Sequence, residues 1–174
     1  MFGRRPNRRL EITPDERRER QIERVHTLTY ALLLDVIAWF MDLREPVDEH
    51  LFPEYHLPDA VRSMLDPRER LATYVSTRLL AAWEPARERW LSHGAHLKPD
   101  FGTSATLQIE GLDGEAPQPL ATARFTDRSV VEIGGRRQYL SHDWVLTAWL
   151  APDLTRIENA AFAAADAAGE SSSR

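Results

Sequence analysis

The chain has 174 residues, of which 43% are hydrophobic and 28% charged, and its formal net charge is −5. This length supports one hydrophobic core of ordinary size and is short for two independent domains. A net negative charge argues against nucleic-acid binding over the whole surface, because phosphate recognition requires clustered positive charge. The chain has no cysteine, which excludes disulfides and thiolate metal sites.

The first twelve residues are rich in arginine, and they precede any apolar pattern. They carry four arginines, Arg4, Arg5, Arg8 and Arg9. Chain ends of this composition are commonly disordered, so residues 1–12 are expected to form a solvated arm. Nucleic acid or anionic lipid would be contacted only through this arm.

Two helix starts share one signature. The segments TPDE and DPRE, which begin at residues 13 and 66, each place a capping side chain first, then proline, then glutamate in the first turn. They predict helices from about Pro14 to Arg44 and from about Pro67 to Leu91, the second ended or kinked at Pro85. Between them, the segment PDAVRSML predicts one short helix.

The most apolar run of the chain extends from Val25 to Leu43 within the first helix. It is interrupted by His26, Asp35 and Asp42, whereas a spanning helix needs about 20 mostly apolar residues. The arginine-rich start is followed by a charged helix and not by the apolar region of a secretory signal. We therefore expect no transmembrane segment and a cytoplasmic location.

Asp35 lies in the middle of that apolar run. At 3.6 residues per turn it falls on the narrow side that the apolar face leaves free, and it is expected to be solvated or ion-paired, because a buried unpaired carboxylate is costly. The alternative is a polar stripe that lines an internal pocket or a helix-to-helix interface. Leu33, Ile37 and Met41 widen the apolar arc and are expected to form an exposed partner-binding surface.

After His93 the pattern changes from helical to alternating, which predicts strands. The predicted strands are TSATLQIEGL, LATARF, SVVEI, a long QYLSHDWVLTAWL and a short one around LTRIEN. The pair Gly134-Gly135 predicts a tight hairpin, and apolar residues on both sides of the long strand indicate a central, covered strand. The segment from residue 160 predicts a weak alanine helix that fades into a polar end. Residues 161–174 are expected to form an Ala/Ser-rich tail outside the domain.

Helices first and antiparallel strands afterwards define an α+β fold. We expect N-terminal helices packed on a C-terminal curved antiparallel β-meander, in a single domain over residues 13–160.

Few residue patterns indicate chemistry. His93 and His96 stand near Asp100, but they fall in a loop and lack a third fixed ligand, so no metal site is predicted. His142 lies on the same strand face as Trp144 and is placed to point into whatever the sheet encloses. No phosphate-binding loop or nucleophile motif is present in the sequence, and we expect no cofactor.

The order of elements and the segment ARFTDRSVVEIGGRRQYLSHDWVLTAWLAPDLTRI resemble the cone-shaped nuclear-transport-factor-like superfamily, which has a cystatin-like α+β fold. Trp144, Trp149, Arg156 and Ile157 stand where that superfamily often has a tryptophan strand and a final Arg-Ile pair. The resemblance covers roughly residues 14 to 159. It implies a cone whose open mouth serves as an enzyme pocket, a ligand site or a protein-binding and dimerisation surface.

Two functions follow as hypotheses. The first is a non-catalytic protein-binding or assembly module, which associates with itself or with a partner through its sheet or its apolar helix. The alternative is a small-molecule enzyme of the isomerase, dehydratase or cyclase type, with an acid-base residue inside the cone. The candidates for that residue are His142, Asp35 and Tyr139.

Overall fold

The computed structural model describes residues 12–40, 42–44, 57–92, 98–100, 106–112, 116, 118–133 and 136–165. The helices are α1 (Pro14–Phe40), α2 (Asp59–Arg62), α3 (Pro67–Tyr74) and α4 (Thr77–Ser92), and the strands are β1 (Lys98–Asp100), β2 (Thr106–Glu110), β3 (Leu120–Ile133), β4 (Arg136–Leu150) and β5 (Ile157–Ala164). Helices precede an antiparallel sheet, so the predicted α+β class is confirmed.

The two predicted helix starts are confirmed by their capping bonds. At the start of α1, the Glu16 amide donates to the Thr13 hydroxyl at 3.2 Å, and the Thr13 amide donates to the Glu16 carboxylate at 2.9 Å. At the start of α3, the Arg68 amide donates to the Asp66 carboxylate at 2.9 Å. Each bond satisfies an amide that the helix itself leaves free.

Helix α1 ends before the boundary predicted at Arg44. The backbone turns into the left-handed region at Asp42, where φ is 55°. The amide of Leu43 then donates to the carbonyl of Ala38 at 2.9 Å, and the amide of Asp42 donates to that of Trp39 at 3.3 Å. These two bonds form a Schellman motif, which closes the helix.

A side chain from α4 reinforces this end of α1. Arg87 donates from Nε to the Trp39 carbonyl at 2.8 Å and from Nη2 to the Asp42 carboxylate at 3.0 Å. Its guanidinium also lies over the Trp39 ring, 5.6 Å from the centroid. A cation here meets the negative end of the helix dipole, so Arg87 holds α4 against the end of α1.

The single helix predicted from Pro67 to Leu91 is two helices. Val75 adopts extended dihedrals and forms a parallel bridge with Ile157 at the start of β5. The Ser76 amide donates to the Ile157 carbonyl at 2.9 Å. Pairing with the sheet therefore breaks the helix at residues 75 and 76, and α4 continues through Pro85, which was predicted to end or kink it.

Strands β3 and β4 form one long hairpin. They pair from Leu120 with Trp149 to Ile133 with Arg136, so two residues separate the paired ends, and the predicted hairpin is confirmed. The predicted break after Phe125 is wrong, because β4 offers every residue of β3 a partner and the ladder continues through the polar segment.

The open sheet has the strand order β1-β3-β4-β5, and β2 also pairs with β3. The central position predicted for the long strand β4 is confirmed. Strand β5 continues to Ala164, so the expected alanine helix is wrong over residues 160–164, and the predicted tail begins inside β5. Pairing with β4 and contact of Phe162 with Trp83, at a centroid distance of 6.1 Å, outweigh the helix propensity of alanine.

One hydrophobic core lies between the helices and the inner face of the sheet. Alternate residues of β3 and β4 contribute to it, as do residues of α1, α3 and α4. The sheet residues with the least exposure are Ala121, Ala123, Leu146, Ala148, Leu150 and Ile157. The helices therefore pack on the sheet as predicted, and they do so on one face.

Candidate functional site

Asp35 lies in a buried group of three polar side chains, Asp35, Arg70 and Tyr74, called here the α1–α3 polar cluster. Arg70 donates from Nε to Asp35 Oδ1 at 2.7 Å, and the Tyr74 hydroxyl donates to Asp35 Oδ2 at 2.7 Å. Arg70 also donates from Nη1 to the carbonyl of Met64. The exposures of the three residues are 0%, 1% and 2%, so the cluster lies inside the protein.

The sequence of α3 explains how the cluster forms. Arg70 and Tyr74 are one helical turn apart, so their side chains share a face, and that face packs on α1 at Asp35. The side of α1 that was expected to meet water is covered by α3. The expectation that Asp35 meets water is wrong: the carboxylate is ion-paired, and it lies at a helix-to-helix interface, as the alternative had it.

Burial dominates the electrostatics of this carboxylate. It raises the pKa of Asp35 above its usual range, and the bonds from Tyr74 and Arg70 oppose that rise only in part. Both carboxylate oxygens accept a hydrogen bond, and neither reaches the surface. In this arrangement Asp35 joins two helices, and it has no surface at which to act as a general base on a substrate.

The other two candidate acid-base residues are placed only through their backbone. His142 is paired with Asp127 and Tyr139 with Val130 in the β3–β4 ladder. Their side chains lie outside the part of the structure that is described, so an enzymatic role for them stays a prediction. The arginine arm, with Arg4, Arg5, Arg8 and Arg9, also lies outside it.

The apolar arc of α1 does not form the exposed surface that its sequence suggested. Leu33 is buried in the core, with an exposure of 3%, and Ile37 is half-buried against that core. The exposure predicted for Leu33 is wrong because α1 is covered on more sides than an ordinary surface helix. Met41 is not among the described residues.

The outer face of the sheet is the surface that the core leaves unused. Strand pairing arranges it in three rows across β2, β3, β4 and β5: Glu110, Leu120, Trp149 and Asn159; Gln108, Thr122, Thr147 and Ala161; Thr106, Arg124, Val145 and Ala163. None of these twelve residues belongs to the core cluster. We call this set the outer sheet face.

The outer sheet face mixes apolar and polar side chains: Leu120 and Trp149 lie in its first row and Val145 in its third, and the row between them is mostly polar. Trp149 and Leu120 are half-exposed neighbours, and Val145 is buried among the side chains around it. Arg124 and Glu110 are exposed at opposite ends of the face. A half-exposed tryptophan beside aliphatic side chains is typical of a surface that contacts another molecule.

Sequence reasoning missed this face because apolar residues on both sides of β4 indicated two covering layers. The signal that would have found it lies on β2. Thr106, Gln108 and Glu110 alternate with Leu107 and Ile109, which is typical of a strand with one buried and one solvated face.

In the described ranges, no three His, Asp or Glu side chains are placed to hold a metal ion. No described helix combines the length and the apolar character required to cross a membrane.

Comparison with known proteins gave no match to a family model, to a curated protein or to a solved structure. The resemblance to the nuclear-transport-factor-like superfamily therefore stays a prediction.

Proposed function

We propose that the chain is a non-catalytic assembly module that associates with a second copy of itself through the outer sheet face. The observation that carries the proposal is the half-exposed Trp149, which lies beside Leu120, with Val145 two rows away on the same strand, on a face that contributes nothing to the described core. Burying such a patch against a partner removes apolar area from water, which is the main driving force of association. A cytoplasmic location is part of the proposal.

The arrangement of the rows suits two identical copies. A two-fold axis along the middle row places the first row of one copy over the third row of the other, so that Trp149 covers Val145 of its counterpart. Arg124 then lies over Leu120 of the other copy, one strand away from Glu110, and strands are about 4.8 Å apart. The opposite charges therefore lie within reach of each other, and like charges are not opposed.

The face is small for a stable dimer. Its twelve residues compare with roughly 20 to 30 residues per side in a standard interface. We therefore expect the association to depend on concentration.

The test is the molar mass of the full chain over a hundredfold range of concentration, measured by sedimentation equilibrium. We expect the mass to rise with concentration, and the Trp149→Gln variant to stay monomeric. Leu65→Gln is the matched control, because Leu65 is an exposed apolar residue away from the sheet, with an exposure of 56%.

A charge exchange distinguishes the proposed two-fold geometry from non-specific hydrophobic association. Arg124→Glu alone should weaken association, and the Arg124→Glu, Glu110→Arg double variant should restore it. A wild-type chain that is monomeric throughout, or a Trp149→Gln variant that associates as the wild type does, would overturn the proposal.

A further inference from the structure

The outer edge of β5 is a second surface with bonding capacity that the other described strands leave unused. Strand β5 is the last in the strand order, so among the described strands β4 is its only neighbour. An edge strand presents unpaired amides and carbonyls, and proteins protect such edges with charges, proline, bulges or a covering segment.

Only the beginning of this edge is covered by a described segment. Ser76 donates from its amide to the Ile157 carbonyl and from its hydroxyl to the Glu158 carbonyl, both at 2.9 Å. A register shift in the β4–β5 ladder occurs at the same place. From Asn159 to Ala164 the sequence has neither a charge nor a proline.

The hydrogen bonds show which amides face the outer edge. The Ala160 amide donates to the Asn159 side chain at 3.0 Å, away from the β4 ladder. On β4, the Leu150 amide donates to the Pro119 carbonyl on the β3 side, so the odd-numbered residues of β4 face β5. Since directions alternate along a strand, Phe162 faces the outer edge together with Ala160.

We propose that this edge pairs antiparallel with the same edge of a second copy, about a two-fold axis at Ala161. Edge-facing residues must oppose each other, so Ala160 of each copy pairs with Phe162 of the other, in about four backbone hydrogen bonds. In two of these bonds the Ala160 amide exchanges its bond to the Asn159 side chain for one to the other copy. On the inner face this register places a large side chain beside a small one. Strand addition of this kind is an established mode of association.

The edge contact does not need the contact through the outer sheet face. A chain with two separate self-complementary surfaces joins copies beyond a pair, because each copy has one surface still free after the first contact. The two contacts together predict an assembly larger than a dimer.

The absence of cysteine from the chain allows a direct test of the edge contact. In the proposed register Ala161 faces its own counterpart, with Cα atoms about 4.5 Å apart, which lies within the range of a disulfide. Ala163→Cys is the matched control, because Ala163 is exposed on the same face of the same strand. In the proposed register the Ala163 residues of the two copies are four positions apart along the strands, which corresponds to about 13 Å.

Both variants are made in the Trp149→Gln chain, so that the outer sheet face cannot bring the thiols together. Under mild oxidation we expect the Ala161→Cys chain to form disulfide dimers at least tenfold faster than the Ala163→Cys chain. Equal rates, a faster Ala163→Cys reaction or no dimer at all would overturn the edge contact. None of these outcomes would affect the contact through the outer sheet face, which Trp149→Gln tests separately.

Discussion

The helical side of this protein buries charged side chains, whereas its sheet side leaves a large apolar side chain partly exposed. Between α1 and α3, a carboxylate and a guanidinium are fully buried and joined at 2.7 Å, whereas on the outer sheet face a tryptophan remains half-exposed. Whether a side chain can be buried thus depends on its partners as well as on its polarity. The α1–α3 interface is satisfied within one chain, whereas no residue of the described core covers the outer sheet face.

Removal of one cluster partner gives the largest expected effect. In Arg70→Met, Asp35 loses its cation while it stays buried, which should lower the free energy of unfolding by about 3 to 5 kcal/mol. Urea unfolding at neutral pH measures this loss. The Asp35→Leu, Arg70→Met double variant should lose less than Arg70→Met alone, since it leaves no isolated charge inside. A double variant that loses the sum of the two single losses would show that the two residues do not depend on each other.

The two faces of β4 can be compared at adjacent residues. Leu150→Ala should cost about 2 to 5 kcal/mol, because it opens a cavity in the core, whereas Trp149→Gln should cost less than about 1 kcal/mol, as do most changes on a surface. Urea unfolding at a concentration where the chain is monomeric measures both. A large loss in Trp149→Gln would mean that the outer sheet face is already covered within one chain.

The sequence predicts the local features of this fold well. The capping residues Thr13 and Asp66 and the glycine pair of the hairpin each act through neighbours in the chain, so a short segment contains all the information. The capping predictions are confirmed by bonds that join residues two or three positions apart, and the hairpin is confirmed by the pairing of Ile133 with Arg136.

The wrong predictions concern residues whose conformation or burial depends on an element that is distant in the sequence. Val75 leaves its helix because the start of β5 pairs with it, and Asp35 is buried because α3 supplies Arg70 and Tyr74. Strand β5 likewise replaces an alanine helix only because β4 lies beside it. A helical wheel includes none of these partners, so it placed Asp35 correctly relative to α1 and wrongly relative to water.

The pKa of Asp35 gives a pH test of the buried side. Because burial raises this pKa in the folded chain, the folded state retains a proton at a pH where the unfolded state has lost it. Its contribution to stability is therefore complete below the unfolded pKa, about 3.9, and is lost as pH rises through the raised folded value. The stability of the wild type relative to Asp35→Asn should thus increase as pH falls from 7 towards 4, as measured by urea unfolding. The opposite slope would mean that Arg70 and Tyr74 lower this pKa below its usual range.

A buried hydroxyl on α1 departs from the satisfied pattern of the helical side. The hydroxyl of Thr29 on α1 is buried and has no hydrogen-bond partner among the described residues. Thr29→Val removes this hydroxyl at nearly constant shape and should raise the free energy of unfolding by about 1 kcal/mol. Thr29→Ser keeps the hydroxyl and should not stabilise the protein. A loss of stability in Thr29→Val would show that the hydroxyl does have a partner.

The smallest effect is expected at the first turn of α1, which belongs to neither region. Residues 13–20 are all exposed, so this end of the helix is held by the Thr13–Glu16 capping bonds and not by the core. Thr13→Ala should make the amides of the first turn exchange several-fold faster, while amides near Asp35 keep their rates, because local fraying does not require global unfolding. The bonds from Thr13 also lower the pKa of Glu16, so acid should loosen the same turn as pH falls through that lowered value. Equal acceleration along the whole helix would instead mean that the first turn unfolds together with the core.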